Sequence, residues 1–304
     1  MMMIIPISTL PLSLLLLSIV LLRPCTSFST SPTSLRLQQT TKQPPSSSSQ
    51  LNLFNFPSSS GGGKAKAPTS TANRDNAAIN SIKSALQKPR NPNCPLVECE
   101  FPALAALNKL GDGSLRSATE AEDANIAFAS KLCGKVGGSP FVGPKVNLVV
   151  SSSASRSFRE KVQKKVKGAS ICSVKDLADM SVSGTCVFLT PSSKADYQQA
   201  KKLAEDGCPT VIVNGLFKDQ KSVPESATMA YFLKPLTYNS QVAGFLVRSY
   251  PSQWTVLDAQ SAVLGTFTDE EILVSRTNTP DLRASVRLVQ KSADEKAIRA
   301  RSMQ

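Results

Sequence analysis

Histidine is absent from this chain of 304 residues. Its absence removes the side chain that most often acts as a general base near neutral pH, and the commonest nitrogen ligand of zinc. A serine or cysteine nucleophile would need a lysine or a carboxylate as its base, and the Gly–x–Ser–x–Gly nucleophile pattern does not occur. No two cysteines stand in the Cys–x–x–Cys spacing of zinc and dithiol-redox sites, and no metal is expected. The phosphate-loop pattern Gly–x–x–x–x–Gly–Lys–Ser/Thr is missing as well. "GGGKAKAP", Gly61 to Pro68, has no strand before it. "GKVGGSPFVG", Gly134 to Gly143, precedes a strand, whereas a dinucleotide fingerprint follows one. No catalytic residue and no cofactor emerge, and the reading leans away from an enzyme.

Carboxylates are missing from the first 74 residues, whose only charges are Arg23, Arg36, Lys42, Lys64, Lys66 and Arg74. That leader supplies six of the net +13, and the rest of the chain sets 29 basic against 22 acidic residues. A segment rich in Ser, Thr, Pro and Gln and free of acids cannot bury a core, and it reads as disordered or processed. Within it, "IIPISTLPLSLLLLSIVLL" is an apolar run, and the small residues of "CTS" follow it. This suggests a signal peptide over residues 1–27, although no Lys or Arg precedes the run. A retained membrane anchor is the alternative, since about 19 residues almost span a bilayer. Residues 28–74 then read as a transit peptide that opens on Phe28. An apolar run, then a Phe, then an acid-free hydroxyl-rich tract resembles the bipartite presequence of algae whose plastids came from a secondary endosymbiosis. The resemblance implies the chloroplast stroma or the stromal face of the thylakoid.

Beyond the leader, six cysteines remain. The stretch is long enough to bury a core without disulfides, and Cys99, Cys172 and Cys186 sit in apolar strand-like contexts, as free buried thiols do. Hydrophobic periodicity predicts a helix over Arg74–Lys88, a half-buried strand in "PLVECEF", and a helix in "SATEAEDANIAFASKLCG" capped by Ser117. Then follow the strand "KVNLVVSS", the basic helix "SRSFREKVQKKVKG" with its stripe Phe158, Val162 and Val166, and the strands "ASICSV" and "GTCVFLT". The helix "SKADYQQAKKLAEDG" and the strand "PTVIVNG" complete the series. Such alternation calls for an α/β fold, a mostly parallel open sheet with helices on both faces. "ATMAYFLKPL", "AGFLVRSYP" and "QWTVLDAQ" extend it as antiparallel strands, with turn-like joins at Pro235–Ser240 and Pro251–Ser252. Two short C-terminal helices are expected, one opened by a Thr268–Glu271 capping box and one with Pro280 in its first turn. The organisation is a single α/β domain over residues 75–290 and a charged, frayed tail over 291–304.

Several residues qualify as binding candidates. Ser151, Ser152 and Ser153 lie between a strand and the basic helix, where backbone N–H groups and hydroxyls can cradle an anion or cap the helix. Asn214 ends a neighbouring strand, and open α/β sheets bind ligands beyond such strand ends. Glu98 and Glu100 share one face of their strand, as a pair of acids or as its solvent side. The basic helix suits a solvated face or a peripheral contact with anionic lipid. Apart from Phe158 it has no aromatics for stacking bases, so no nucleic acid is expected. In "GFLVRSYPSQWTVL", Phe245, Val247 and Ser249 should face one way, and Leu246, Arg248 and Tyr250 the other. Arg248 between apolar neighbours must pair with a carboxylate, Glu98 or Glu100 being available, or meet an anionic partner group.

"LVECEFP", "VIVNGLF" and "YFLKPL…GFLVRSYPSQWTVL", in that order, resemble a plastid family of domains of unknown function over roughly residues 75–280. The family includes the low photosystem II accumulation type of assembly proteins and occurs appended to a chloroplast adenylate kinase. Its most specific piece here is Arg248, Tyr250, Pro251 and Trp254. The resemblance implies an auxiliary factor for a thylakoid photosynthetic complex, with a thylakoid or stromal protein as partner and no catalytic set. No kinase portion is present to carry over. The alternative is a small-molecule or nucleotide-binding enzyme on a Rossmann-like sheet.

Overall fold

Ser70 accepts a hydrogen bond from Asn73 N–H, which starts helix α1 (Thr71–Gln87) three residues before the position expected from periodicity. The structure, a computed structural model, describes residues 66–102, 117–137, 145–178, 182–216, 227–274 and 278–303. The signal peptide, Phe28, nearly all of the transit segment and the glycines at 138 and 143 lie outside the described residues.

After α1 come β1 (Leu96–Glu100), α2 (Ala118–Val136), β2 (Val146–Val150), α3 (Arg156–Lys165), β3 (Ser170–Ser173), β4 (Thr185–Leu189), α4 (Lys194–Glu205) and β5 (Thr210–Val213). Then β6 (Thr228–Tyr238), β7 (Gln241–Ser249), β8 (Trp254–Asp258) and β9 (Val263–Phe267) lead to α5 (Asp269–Val274) and α6 (Leu282–Ser302). The strands form one nine-stranded sheet in the order β3-β2-β4-β5-β1-β6-β7-β8-β9. Pairing is parallel from β3 through to β6 and antiparallel from β6 to β9. This is the α/β sheet with an antiparallel extension that the alternation of elements called for.

Period-two alternation explains the two faces. Val97, Cys99 and Phe101 join a core with α1, α2 and α3, whereas Leu96, Ile212 and Phe188 pack with α4. Farther along the sheet, Phe232, Leu246, Trp254 and Val256 form a third cluster with Val289 of α6. The stripe Phe158, Val162 and Val166 of the basic helix is buried as expected.

Several expectations need correction. β1 is central, paired on both sides, so Glu98 is 6% exposed and not on a solvent face. Pro235 lies within β6, not in a turn. β6 overruns β1, whose pairing ends at Phe232, so the missing proline N–H has an open side to face. The hairpin turn is instead Asn239–Ser240, both at positive φ, which suits a two-residue loop. Strand β9 was not anticipated. Pro280 precedes α6 instead of lying in its first turn, and Asp281 caps the helix, accepting from Arg283 N–H at 2.9 Å. That helix runs unbroken to Ser302 instead of fraying; Lys296 Nζ donates to Asp258 at 2.7 Å and Tyr238 Oη to Asp294 at 3.0 Å. The Thr268–Glu271 capping box forms as expected.

Candidate functional site

Strand β2 has β3 on one side and β4 on the other. Its following helix, α3, packs with the Cys99 face, and the helix after β4, α4, packs with the opposite face. The connections therefore diverge between the carboxyl ends of β2 and β4, the place where open α/β sheets hold ligands. Ser151, Ser152 and Ser153 leave β2 at that point, and Ser192 and Ser193 follow β4.

A buried carboxylate organises the crossing. Asp196, 0% exposed, accepts from Ser151 Oγ at 2.7 Å, Ser192 N at 2.9 Å and Ser193 N at 3.1 Å, all through Oδ2. With Ser193 it forms a capping box for α4. Ser151 Oγ also lies 2.9 Å from both Ser153 Oγ and Ser192 Oγ, and the latter two touch. Ser152 and Ser153 are exposed, and the Ser152 carbonyl accepts from Arg159 at 2.8 Å. The helix that follows is capped by Ser155. The Ser151 and Ser153 hydroxyls thus bond within the loops at the crossing, and the cap of α3 is Ser155, not one of the three serines at 151–153.

Asn214, at φ 47°, plays a similar part at the next strand end. Its Oδ1 accepts from Phe101 N–H at 2.9 Å and its Nδ2 donates to Asn125 Oδ1 at 2.7 Å. The amide therefore binds β1 and α2 to β5. Glu98 and Glu100 do share a face, near Tyr197, whose phenol is pushed up by burial and then by both carboxylates.

Arg248 and Tyr250 lie at the other end of the sheet. Arg248, 3% exposed, pairs with Asp269 at 2.6 Å, not with Glu98 or Glu100. Asp269 also accepts from the Trp254 indole N–H at 3.1 Å. Desolvation lowers the Arg248 guanidinium from its ordinary value, and the Asp269 charge and hydrogen bond oppose that. Tyr250 packs against the α1 core and its hydroxyl donates to Lys88 O at 2.7 Å, while its ring centroid lies 5.6 Å from the Arg248 guanidinium. The strand has ended at Ser249, and the turn closed by Ser252 N–H on Ser249 O at 2.8 Å breaks the alternation.

Sequence reasoning missed one cluster. Arg74 and Asp75, 2% and 3% exposed, are joined at 2.6 Å, and Lys131 Nζ meets the second Asp75 oxygen at 2.6 Å. Arg74 also donates to Pro102 O at 3.0 Å and lies 4.4 Å from the Phe101 ring centroid. These groups line a cavity of about 570 Å³ between α1 and α2, with Ser117, Glu120 and Asp123 on its rim. The available signal was an adjacent Arg–Asp pair near the start of a helix, which a leader boundary at residue 74 cuts in two.

Residues 68–270 match a family model described as Domain of unknown function (DUF1995), and the chain belongs to that family. No curated protein matches the chain. No solved structure matches it either.

Proposed function

We propose that the protein is a non-enzymatic auxiliary factor of the plastid that helps assemble or maintain a thylakoid photosynthetic complex by contact with a thylakoid or stromal protein. One observation carries the non-enzymatic part. Most polar groups placed to meet a ligand are bonded within the chain: Asn214 to Phe101 and Asn125, Ser151 to Asp196 Oδ2, Arg248 Nη2 to Asp269; Asp196 Oδ1 and Arg248 Nε are the buried atoms left without a partner among the described residues. The address rests on the leader, where Phe28 follows an apolar run and opens an acid-free tract. The complex is suggested by the resemblance of "GFLVRSYPSQWTVL" to low photosystem II accumulation proteins. The basic helix α3 is partly neutralised, Lys165 pairing with Asp123 at 3.0 Å and Lys161 with Glu122 at 3.5 Å, which argues against a nucleic-acid surface. Among the described residues no helix is long and apolar enough to cross a membrane, and peripheral contact is the reading that fits.

The test has two arms. A fusion of residues 1–74 to a fluorescent protein should enter the plastid of an alga with four envelope membranes, and Phe28→Ala should strand it outside; normal import of that variant would defeat the address. Affinity purification from plastids should recover thylakoid-complex subunits, and alkaline carbonate should release the protein from membranes. Retention in the pellet would favour an uncleaved anchor.

The 570 Å³ cavity, lined by the buried Arg74–Asp75 pair and the exposed Lys131 that meets it, favours a second reading, a small-molecule or nucleotide-binding enzyme. A thermal-shift screen separates the two, because a ligand at 100 times its dissociation constant stabilises by about 2.7 kcal/mol.

A further inference from the structure

Four cysteines gather on the α4 face of the sheet: Cys94, Cys172, Cys186 and Cys208. Two of them are neighbours, with Cys208 Sγ 3.7 Å from Cys186 Sγ. They lie at the amino ends of β4 and β5, away from the serine crossing. Cys186 is fixed within β4 and 0% exposed, whereas Cys208 is partly exposed. Cys208 stands in the short connection between Gly207, which has φ 84°, and Pro209, outside both helix and strand. A disulfide needs the sulfurs at about 2.05 Å, so they must close by about 1.7 Å. A side-chain rotation at Cys208 with a small shift of its connection supplies motion of that size, while β4 stays in place.

We propose that Cys186 and Cys208 are an oxidisable dithiol, Cys208 the attacking and Cys186 the resolving thiol, which hydrogen peroxide closes to a disulfide and a dithiol reductant reopens. The Cys208 thiolate attacks one peroxide oxygen, the O–O bond breaks, and hydroxide leaves and takes up a proton as water. Cys208 is then a sulfenic acid. Cys186 sulfur attacks the sulfenic sulfur, the S–O bond breaks, and the departing hydroxide leaves as water with the Cys186 proton. Two thiols lose two electrons in all, and one peroxide becomes two waters. Reduction runs by two thiol–disulfide exchanges, which leave the reductant as the disulfide.

The surroundings assign the roles. In the reduced pair Cys208 Sγ donates to Cys186 Sγ at 3.7 Å, and the Thr210 hydroxyl donates to the Cys208 carbonyl at 2.9 Å; the Cys186 contact first and Thr210 next bring Cys208 down to about 7 against the opposing effect of burial. Burial pushes Cys172 up to about 11 and Cys133 up to about 12, which keeps those thiols unreactive. Cys186 is itself shifted upward, first by its hydrogen bond with Cys208 and then by burial, as suits a thiol that acts second. The inference rests on no part of the plastid proposal.

The experiment treats the reduced full chain with hydrogen peroxide, blocks remaining thiols with N-ethylmaleimide, and maps peptides by mass spectrometry. The expected product is a Cys186–Cys208 linked peptide that has lost two hydrogens and is restored by dithiothreitol. Cys208→Ser should abolish oxidation of Cys186, whereas Cys186→Ser should leave Cys208 as a sulfenic acid trapped by dimedone. Circular dichroism checks that each variant is folded. An unlinked pair in the parent chain at peroxide levels that oxidise exposed methionine overturns the proposal, and so does a link formed equally with Cys94 or Cys172. If a serine variant fails to fold, the parent map still decides.

Discussion

Replacing Asp269 by alanine should damage this fold more than replacing Arg248 by glutamine, although the two residues form one ion pair. Asp269 accepts from Arg248 Nη2 at 2.6 Å and from Trp254 Nε1 at 3.1 Å. The Arg248 side chain is 3% exposed and that of Asp269 is 25% exposed. Removing the carboxylate strands a guanidinium that water cannot reach and leaves an indole N–H without its acceptor. Breaking a buried pair costs about 3–5 kcal/mol, and an orphaned buried donor adds about 1–3 kcal/mol. Asp269→Ala should therefore cost about 4–8 kcal/mol, comparable with a whole domain's stability. Arg248→Gln leaves a carboxylate that can hydrate through its exposed quarter and keeps the indole bond, so about 2–3 kcal/mol is expected. Arg248→Met should cost less still, because Arg248 Nε is buried with no hydrogen-bond partner, and an apolar chain of similar length removes that defect. Urea unfolding followed by the fluorescence of Trp254, the single tryptophan, and by circular dichroism measures all three. The reverse order, or a loss under about 1 kcal/mol for Asp269→Ala, would refute the argument from burial. A stable Arg248→Gln protein that no longer recovers its partner would make Arg248 a contact instead of a strut.

Other expectations follow from the same geometry. Asn214→Ala should cost about 2–4 kcal/mol, from the orphaned Phe101 N–H and from an L-residue at φ 47°; Asn214→Gly should cost about 1 kcal/mol less, and equal losses would show that the backbone conformation is irrelevant. Gly244→Ala should cost about 1–3 kcal/mol, because a Cβ there would meet Leu257 O at 2.3 Å; Val289→Ala should not rescue it, since the carbonyl remains. Asp258 gives a pH dependence. Burial raises its pKa, but Lys296 and the Ala262 and Gln260 N–H groups outweigh that and hold it below the ordinary 3.8. A depressed folded value stabilises above the unfolded pKa, and that stability is lost as pH falls through the folded value. Lys296→Met should raise the acid-unfolding midpoint while leaving β1 to β5 intact by hydrogen exchange; an unchanged midpoint would refute the linkage.

The parallel sheet was legible because its strands are short and rich in Val, Leu and Ile between capped helices, as in "VNLVV" and "TVIV". β9 was not, because "VLGTF" is short, has a glycine at its centre, and lies against α6, whose Leu288 Cδ1 would be 2.9 Å from a Cβ at Gly265. Its pairing with β8 makes it a strand, and local pattern carries no trace of that pairing or of the α6 contact. The candidate site shows the same division. Sequence placed Ser151 and Asn214 at strand ends, but the partners that occupy them, Asp196 and Asn125, are 45 and 89 residues away in the chain. Arg248 was rightly expected to need a carboxylate, and Glu98 and Glu100 were chosen because they lay on a recognised strand. Strand order decides otherwise. β6 stands between β1 and β7, so the two glutamates are on a strand that is not a neighbour of Arg248. Asp269 begins α5 directly after β9, and β9 pairs Phe267 with Trp254, which brings that carboxylate to the same end of the sheet as Arg248. The missed strand and the wrong ion-pair partner are therefore one error: without β9 nothing in the sequence returned Asp269 to β7.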